Sequence, residues 1–175
     1  TFDHHQSQAG EVYRINYHIE SPYGTNYQAA TPQPLVEVLR TGYPQFELVS
    51  RTIGPLDVNL TIDEQRFTQR NVLFVDQYFD QLFDLDWLSG NPATALQDPK
   101  GIILTASVAQ SFFADQEPLG AIISLNGRTE GVVRGVVADT DFNTNLPFRM
   151  LMNWQLLEEY EPFYIADSWT STSLG

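Results

Sequence analysis

The chain has 175 residues and is acidic: 22 Asp and Glu stand against 9 Lys and Arg, a formal net charge of −13, and Lys100 is the single lysine. Neither the clustered cations a nucleic-acid binder needs for phosphate nor the polybasic stretches that hold a protein on an anionic membrane occur, so both classes are excluded. With 42% hydrophobic and 13% aromatic residues the chain can build a core, and with no cysteine it has no disulfide, thiol nucleophile or zinc-thiolate site.

Residues 1–10 are polar and aperiodic and form a lead-in. From Val12 to Ile19, Tyr13, Ile15, Tyr17 and Ile19 alternate with Arg14, Asn16 and His18, which predicts a half-buried strand. Ser21 to Asn26 carries loop chemistry. Thr31-Pro32 predicts a helix start, with Leu35, Val38 and Leu39 on its inner face, and Gly42 before Tyr43-Pro44 predicts its stop. A strand is expected near Phe46 to Ile53, broken by Gly54-Pro55. Leu56, Val58, Leu60 and Ile62 then alternate, and Asp63-Glu64-Gln65 turns the chain into Arg66 to Val75, so these two strands pair as a hairpin.

Asp76 can cap a short helix in which Tyr78 meets Leu82 and Phe79 meets Phe83 at i,i+4 spacing. After Trp87 and Leu88, Gly90-Asn91-Pro92 turns the chain, and Thr94 to Leu96 suggests a helical turn. Gly101 to Leu104 is a short apolar run, read as a buried strand. Thr105 can cap the next helix, with Val108, Ala109, Phe112 and Phe113 inward, and Pro118-Leu119-Gly120 closes it. Ala121 to Leu125 and Gly131 to Ala138 flank Asn126-Gly127, a type I′ hairpin signal because both turn positions need positive φ. A polar loop from Asp139 to Pro147 leads to a strand at Phe148 to Met152, a helix at Asn153 to Glu159 and a Ser/Thr-rich tail from Ser168. Strands and helices do not alternate regularly and nothing repeats, so the fold class is α+β.

No constellation carries catalysis. Asp139, Asp141 and Asn143 have the spacing that opens a calcium loop, but Thr144 stands where that loop needs Gly and Met150 where it needs a bidentate Glu. Asp3, His4 and His5 lack a third metal ligand, and adjacent side chains of an extended segment point apart. Carboxylates at Asp76, Asp80, Asp84 and Asp86, or at Glu158, Glu159 and Glu161, could in principle pair for glycoside chemistry; among 22 acids such runs arise by coincidence. There is no G-x-S-x-G elbow, S-x-x-K pair, P-loop or G-x-G-x-x-G. No catalytic, cofactor-binding or metal residue is therefore assigned and no cofactor is expected.

A set of pieces in fixed order resembles the extracytoplasmic core domain of MacB/FtsX-type ABC transporter permeases, in the variant abundant in Bacteroidetes. They are Val12-Tyr13-Arg14-Ile15, Thr31-Pro32 with Leu35 and Leu39, Tyr43-Pro44, Val75-Asp76-Gln77-Tyr78-Phe79 with Leu82-Phe83, and Leu88-Ser89-Gly90-Asn91-Pro92 with Ala95-Leu96. Ile103-Leu104-Thr105, Ala109, Phe112-Phe113, Glu117-Pro118-Leu119-Gly120 and Gly135-Val136-Val137-Ala138-Asp139 follow, with Asn143 and Leu146 beyond. The resemblance spans nearly the whole chain. It implies a two-lobed domain, with residues 1–77 and 126–175 in a porter-like strand-helix-strand lobe and 78–125 in an inserted second lobe. It implies a non-catalytic domain on the periplasmic face of the bacterial inner membrane, between two transmembrane helices of a permease, whose ends approach the membrane side by side. The implied role couples ATP-driven helix motion to export of a substrate or lipoprotein, or to signalling. The implied partners are an ATPase subunit or domain acting through the membrane part, a second permease copy, and a periplasmic adaptor protein.

Two rivals make different expectations. A soluble periplasmic ligand-binding module predicts a concave pocket lined by exposed Trp87, Trp154 or Trp169. A carboxylate hydrolase predicts two acids about 5 to 10 Å apart in a cleft. No apolar run approaches the ~20 residues that span a bilayer, and Thr1 and Ser173-Leu174-Gly175 read as the ends of a domain excised from a longer protein.

Overall fold

The computed structural model of the chain describes residues 12–15, 17–21, 24–28, 31–140 and 146–161, the second and third of these by backbone alone. A hairpin of β1 (Tyr17–Ser21) and β2 (Gly24–Gln28) comes first, then α1 (Leu35–Gly42). The long strands β3 (Thr52–Ile62) and β4 (Gln65–Val75) follow. Short elements come next: α2 (Phe79–Leu82), β5 (Trp87–Gly90) and α3 (Pro92–Ala95). The chain continues through β6 (Gly101–Thr105), α4 (Ala106–Phe113), β7 (Ile122–Leu125) and β8 (Thr129–Val137). It closes with β9 (Met150–Asn153) and α5 (Trp154–Tyr160).

Seven strands form one mixed sheet in the order β5-β8-β6-β9-β4-β3-β7, and β7 also pairs with β8. Hydrogen-bonded neighbours thus run β8-β6-β9-β4-β3-β7 and return to β8, a closed circuit of six strands with β5 beside the C-terminal half of β8. The pairs β4–β9 and β6–β8 are parallel, the others antiparallel.

Alternation along the central strands divides the core in two. Val72 and Phe74 of β4, Ile102 and Leu104 of β6, and Met150 and Met152 of β9 point to one face. They pack with Val108 and Phe113 of α4 and with Leu156 and Leu157 of α5. Leu73, Val75, Ile103 and Leu151 point the other way, against Phe79, Ala95, Leu96 and Phe148. Each fully buried aliphatic side chain of this size contributes about 1.5–3 kcal/mol of transfer free energy. Covered on both faces, β6 is buried along its whole length, as a continuous apolar run requires. At its start a Cβ on Gly101 would lie 2.1 Å from the Ala95 carbonyl oxygen. Because that neighbour is backbone and cannot swing away, Gly101→Ala is expected to lower the thermal midpoint well beyond the same change at exposed Gly42, where a Cβ meets nothing within 4 Å. Melting the two variants side by side by circular dichroism checks this.

Several predicted elements form as the pattern requires. The β3–β4 hairpin closes through Asp63 (φ 47°) and Glu64 (φ 66°) with Ile62 opposite Gln65, the left-handed pair of a type I′ turn. Asn126 and Gly127 also take positive φ, and the Arg128 N–H donates to the Leu125 carbonyl. Asn153 caps α5 by accepting from the Gln155 amide, and Asn91 caps α3 by accepting from Ala93.

Other expectations give way. The first strand begins at Tyr17, and Tyr13 and Ile15, expected inside, are 78% and 41% exposed. Ser21 and Gly24 to Asn26, expected in a loop, lie in the β1–β2 pairing, with Ser21 opposite Gly24 and Ile19 opposite Asn26. Helix α1 starts after Pro34, not at Thr31-Pro32, since the residue before a proline is driven out of the helical region. Its buried position is Val36, and Val38 faces solvent. Residues 46–51 form no strand; the Val49 carbonyl accepts from Arg40, and the Ser50 hydroxyl and Arg51 amide donate to Asp76. Gly54-Pro55 does not end a strand: β3 runs through it with register shifts on both sides of Leu56, the bulge absorbing a proline that has no N–H for the ladder. Gly54 sits at φ 128°, where a Cβ would come 2.5 Å from the Val72 carbonyl oxygen. Trp87 to Gly90, expected to lead into a turn, is a strand of the sheet.

Strands β5, β6 and β7 all come from residues 78–125. They are hydrogen-bonded into the same sheet as β3, β4, β8 and β9. Within it β6 is hydrogen-bonded along both edges, to β8 and β9, and its two faces are covered by the two core clusters. Residues 1–10 and 162–175, on which the expected side-by-side approach of the ends depends, lie outside the described residues.

Candidate functional site

The densest polar arrangement is centred on Asp76, which follows β4. Its side chain is only 8% exposed. Arg40 of α1 donates from Nη2 to Asp76 Oδ2 at 2.5 Å, and Ser50 Oγ donates to Oδ1 at 2.7 Å. The Arg51 and Tyr78 amides donate to Oδ2 and Oδ1 at 3.2 and 3.1 Å. Arg40 also brackets the Val49 carbonyl through Nε and Nη2, at 3.1 and 2.7 Å, and lies over the Tyr78 ring at 4.7 Å. One carboxylate therefore ties α1, the 49–51 segment and the start of α2 to the end of the sheet. Asp76 was expected to cap a helix; its Tyr78 bond does begin α2, but the cap position is Tyr78 itself and the main partner is Arg40, 36 residues away.

Beside this bolt, the Arg51 guanidinium stacks on Trp154 at 4.4 Å. Burial pushes its pKa down; Asp76 opposes that and Arg40 adds to it. Burial likewise pushes the Asp80 carboxyl up, against hydrogen bonds from its own and the Gln81 amide. Asp76 and Asp80 are thus two carboxylates in different environments, but Asp76 is saturated with donors. Asp86 contributes its carbonyl, which accepts from Ala138. Glu158 and Glu159 lie on α5 and Glu161 just beyond it.

A second polar knot joins α4 to the ends of β8 and β9. Ser107 Oγ donates to Asp139 Oδ1 at 2.6 Å, and Arg149 Nη1 reaches Ser107 Oγ at 3.0 Å and Asp139 Oδ1 at 3.3 Å. Thr105, expected to cap α4 with its side chain, makes no such bond. Burial works against charge on Asp139, but the Ser107 hydroxyl and amide and the Arg149 guanidinium outweigh it and hold the carboxyl below its ordinary 3.8. A carboxyl depressed in the folded state stabilises fully above that ordinary value, and the contribution is lost as pH falls through the folded value. Asp139→Asn is therefore expected to lose stability at pH 6 and to differ less from the parent at pH 3, read as urea midpoints at the two pH values.

Asp139 so engaged does not present an open calcium position. Asp141 and Asn143, like Asp3, His4, His5 and Trp169, lie outside the described residues, and His18 is described by backbone alone. Among the described residues no group of three His, Asp or Glu side chains is placed to hold a metal. Neither Trp87 nor Trp154 is an exposed side chain. Trp154 is 2% exposed in the core, and Trp87 packs over Gly135 and against the second core cluster.

An open groove of about 460 Å³ lies at the far end of the sheet, between the β3–β4 hairpin and the β7–β8 turn. Asn59, Thr61, Arg66, Thr68 and Asn126 supply its polar lining. Sequence reasoning singled out none of Arg40, Ser50, Ser107, Arg149 or Arg66. Isolated arginines and serines carry no spacing signal, and the bonds that join Arg40 and Ser50 to Asp76, and Ser107 to Asp139 and Arg149, span 26 to 42 positions.

The profile of the MacB-like periplasmic core domain matches residues 1–172. Among solved structures, a domain assigned to a permease protein from Porphyromonas gingivalis superposes with TM-score 0.68 at 16% identity, over 84% of this chain and 66% of that one. The extracellular domain of the noncanonic ABC-type transporter YknZ from Gram-positive bacteria gives TM-score 0.56 at 16% identity, over 74% and 65%. The periplasmic region of MacB from Actinobacillus actinomycetemcomitans gives 0.49 at 18% identity, over 72% and 52%. This chain spans less than two thirds of each of these domains. The search of curated proteins gives no match.

Proposed function

This chain belongs to the MacB-like periplasmic core domain family, and on that premise we propose that it is the non-catalytic extracytoplasmic domain of an ABC transporter permease in the bacterial inner membrane. Its task is to move with the transmembrane helices, so that nucleotide-driven closure on the cytoplasmic side is carried to a substrate, a lipoprotein or a signalling partner outside. Its partners are the ATPase of the same transporter, acting through the membrane part, a second permease copy, and a periplasmic adaptor.

The observation that carries this reading is the family match over residues 1–172. The geometry supports it: the polar side chains of Asp76, Ser107 and Asp139 are spent joining helices and loops to the sheet, which suits a part that moves as a body. The ligand-binding alternative finds no exposed tryptophan among the described residues: Trp154 is buried in the core and Trp87 is half-buried against the second core cluster.

These 175 residues hold no cysteine, so a label in an otherwise cysteine-free transporter reports on the introduced position alone. Spin labels at Glu47→Cys and Glu64→Cys, both exposed, are introduced in the intact permease with its ATPase. Intersubunit distances are expected to differ between the nucleotide-free and ATP-trapped transporter. Unchanged distances, with cargo handling unaffected by deleting the domain, would sink the proposal.

A further inference from the structure

We propose that the groove between the β3–β4 hairpin and the β7–β8 turn is a binding site for a carboxylate group. Its volume of about 460 Å³ is within the usual 300–1,000 Å³ of small-ligand sites. Its chemistry is donor-rich in a chain whose net charge is −13. Arg66 is exposed on its wall, and among the described residues no carboxylate pairs with it. The Asn59 carboxamide oxygen is occupied by the Thr68 hydroxyl at 2.9 Å, which leaves Asn59 its two N–H donors. Asn126, which also lines the groove, is held by its own amide, which donates to the Asn59 carbonyl at 3.0 Å.

A planar guanidinium that shares its groove with a carboxamide donor suits the two oxygens of a carboxylate, to which a guanidinium gives a charge-assisted, bidentate contact. A cation would meet Arg66 with like charge, and a purely apolar ligand would strand these donors. The carboxylate can come from a free small acid or from an Asp or Glu side chain on a polypeptide. The inference does not depend on the transporter reading.

The test is a titration of the ¹⁵N-labelled chain, followed by amide shifts, with three probes: acetate, acetyl-Gly-Glu-Gly-amide and the neutral acetyl-Gly-Gln-Gly-amide. Saturable shifts at Arg66, Asn126 and Gly127 are expected with the acidic peptide and not with the neutral one. Acetate matching the acidic peptide assigns the site to a free acid; a response to the peptide alone assigns it to a polypeptide side chain. Arg66→Gln should weaken binding at least about tenfold, Arg66→Lys should recover part of it, and Arg70→Gln, at an exposed neighbour outside the groove, should leave it unchanged. Shifts that do not saturate, equal responses to the Glu and Gln peptides, or full binding by Arg66→Gln with a native spectrum would each overturn the proposal.

Discussion

Asp76→Ala is expected to destabilise the chain by about 3–5 kcal/mol, the usual result of removing one partner from a buried ion pair. The loss is not the attraction alone. Arg40 would keep its charge in a half-buried place, and Ser50 Oγ and the Arg51 and Tyr78 amides would lose an acceptor together. Arg40→Met should cost less, because the amide and hydroxyl donors keep the carboxylate, and the double variant should cost less than the sum. A coupling of about 0.5–3 kcal/mol in the cycle is the range for directly bonded groups. Urea unfolding of the four proteins checks the cycle. Additivity within error would mean that the two side chains act independently, and the bolt would then be no joint. Exchange protection adds a local readout: α1 amides should lose protection in Asp76→Ala before those of β6.

Trp154 carries the second large effect, in two parts of different size. It is buried where α5 leaves β9, in the cluster with Phe74, Met152 and Leu156. Trp154→Ala should cost about 3–5 kcal/mol, through lost transfer free energy and the cavity left behind. Trp154→Phe should cost far less. The indole Nε1 is buried and has no hydrogen-bond partner among the described residues, so removing it relieves a desolvated donor worth about 1–3 kcal/mol and offsets much of the smaller ring's lost packing. Arg51, stacked on the indole at 4.4 Å, keeps an aromatic face in the Phe variant and none in the Ala variant. Thermal and urea unfolding of both variants checks the contrast; equal losses would mean that the orphan N–H is not what separates them.

The two bolts explain why sequence reading reached the frame of the molecule and not its polar organisation. Asp76 looked like a helix cap because a cap is the nearest local use for an aspartate before Tyr78-Phe79. Its principal partner, Arg40, lies beyond any local pattern. The same holds for Ser107, Asp139 and Arg149, which meet only when α4 and the ends of β8 and β9 are brought together. The groove around Arg66 is formed by two hairpins whose neighbourhood follows from the Leu60–Leu125 pairing, again a tertiary fact. The candidate calcium spacing failed for the converse reason: local spacing was all it had.

The sequence by itself determined what depends on short-range periodicity and turn chemistry. The β3–β4 hairpin with its two-residue turn, the Asn126-Gly127 turn, the buried strand Gly101–Thr105 and the inward face of α4 at Val108, Ala109 and Phe113 all follow from residues a few positions apart. So did the family, because the order of many weak pieces survives where no one piece is specific. Tertiary structure alone decided that β3 continues through Gly54-Pro55, that Trp87 to Gly90 is a strand, and that the 78–125 segment enters the common sheet. Each of these is settled by hydrogen-bond partners far along the chain. A bulge, an edge strand and a sheet order are properties of a pairing, and a pairing has no signature in either strand alone.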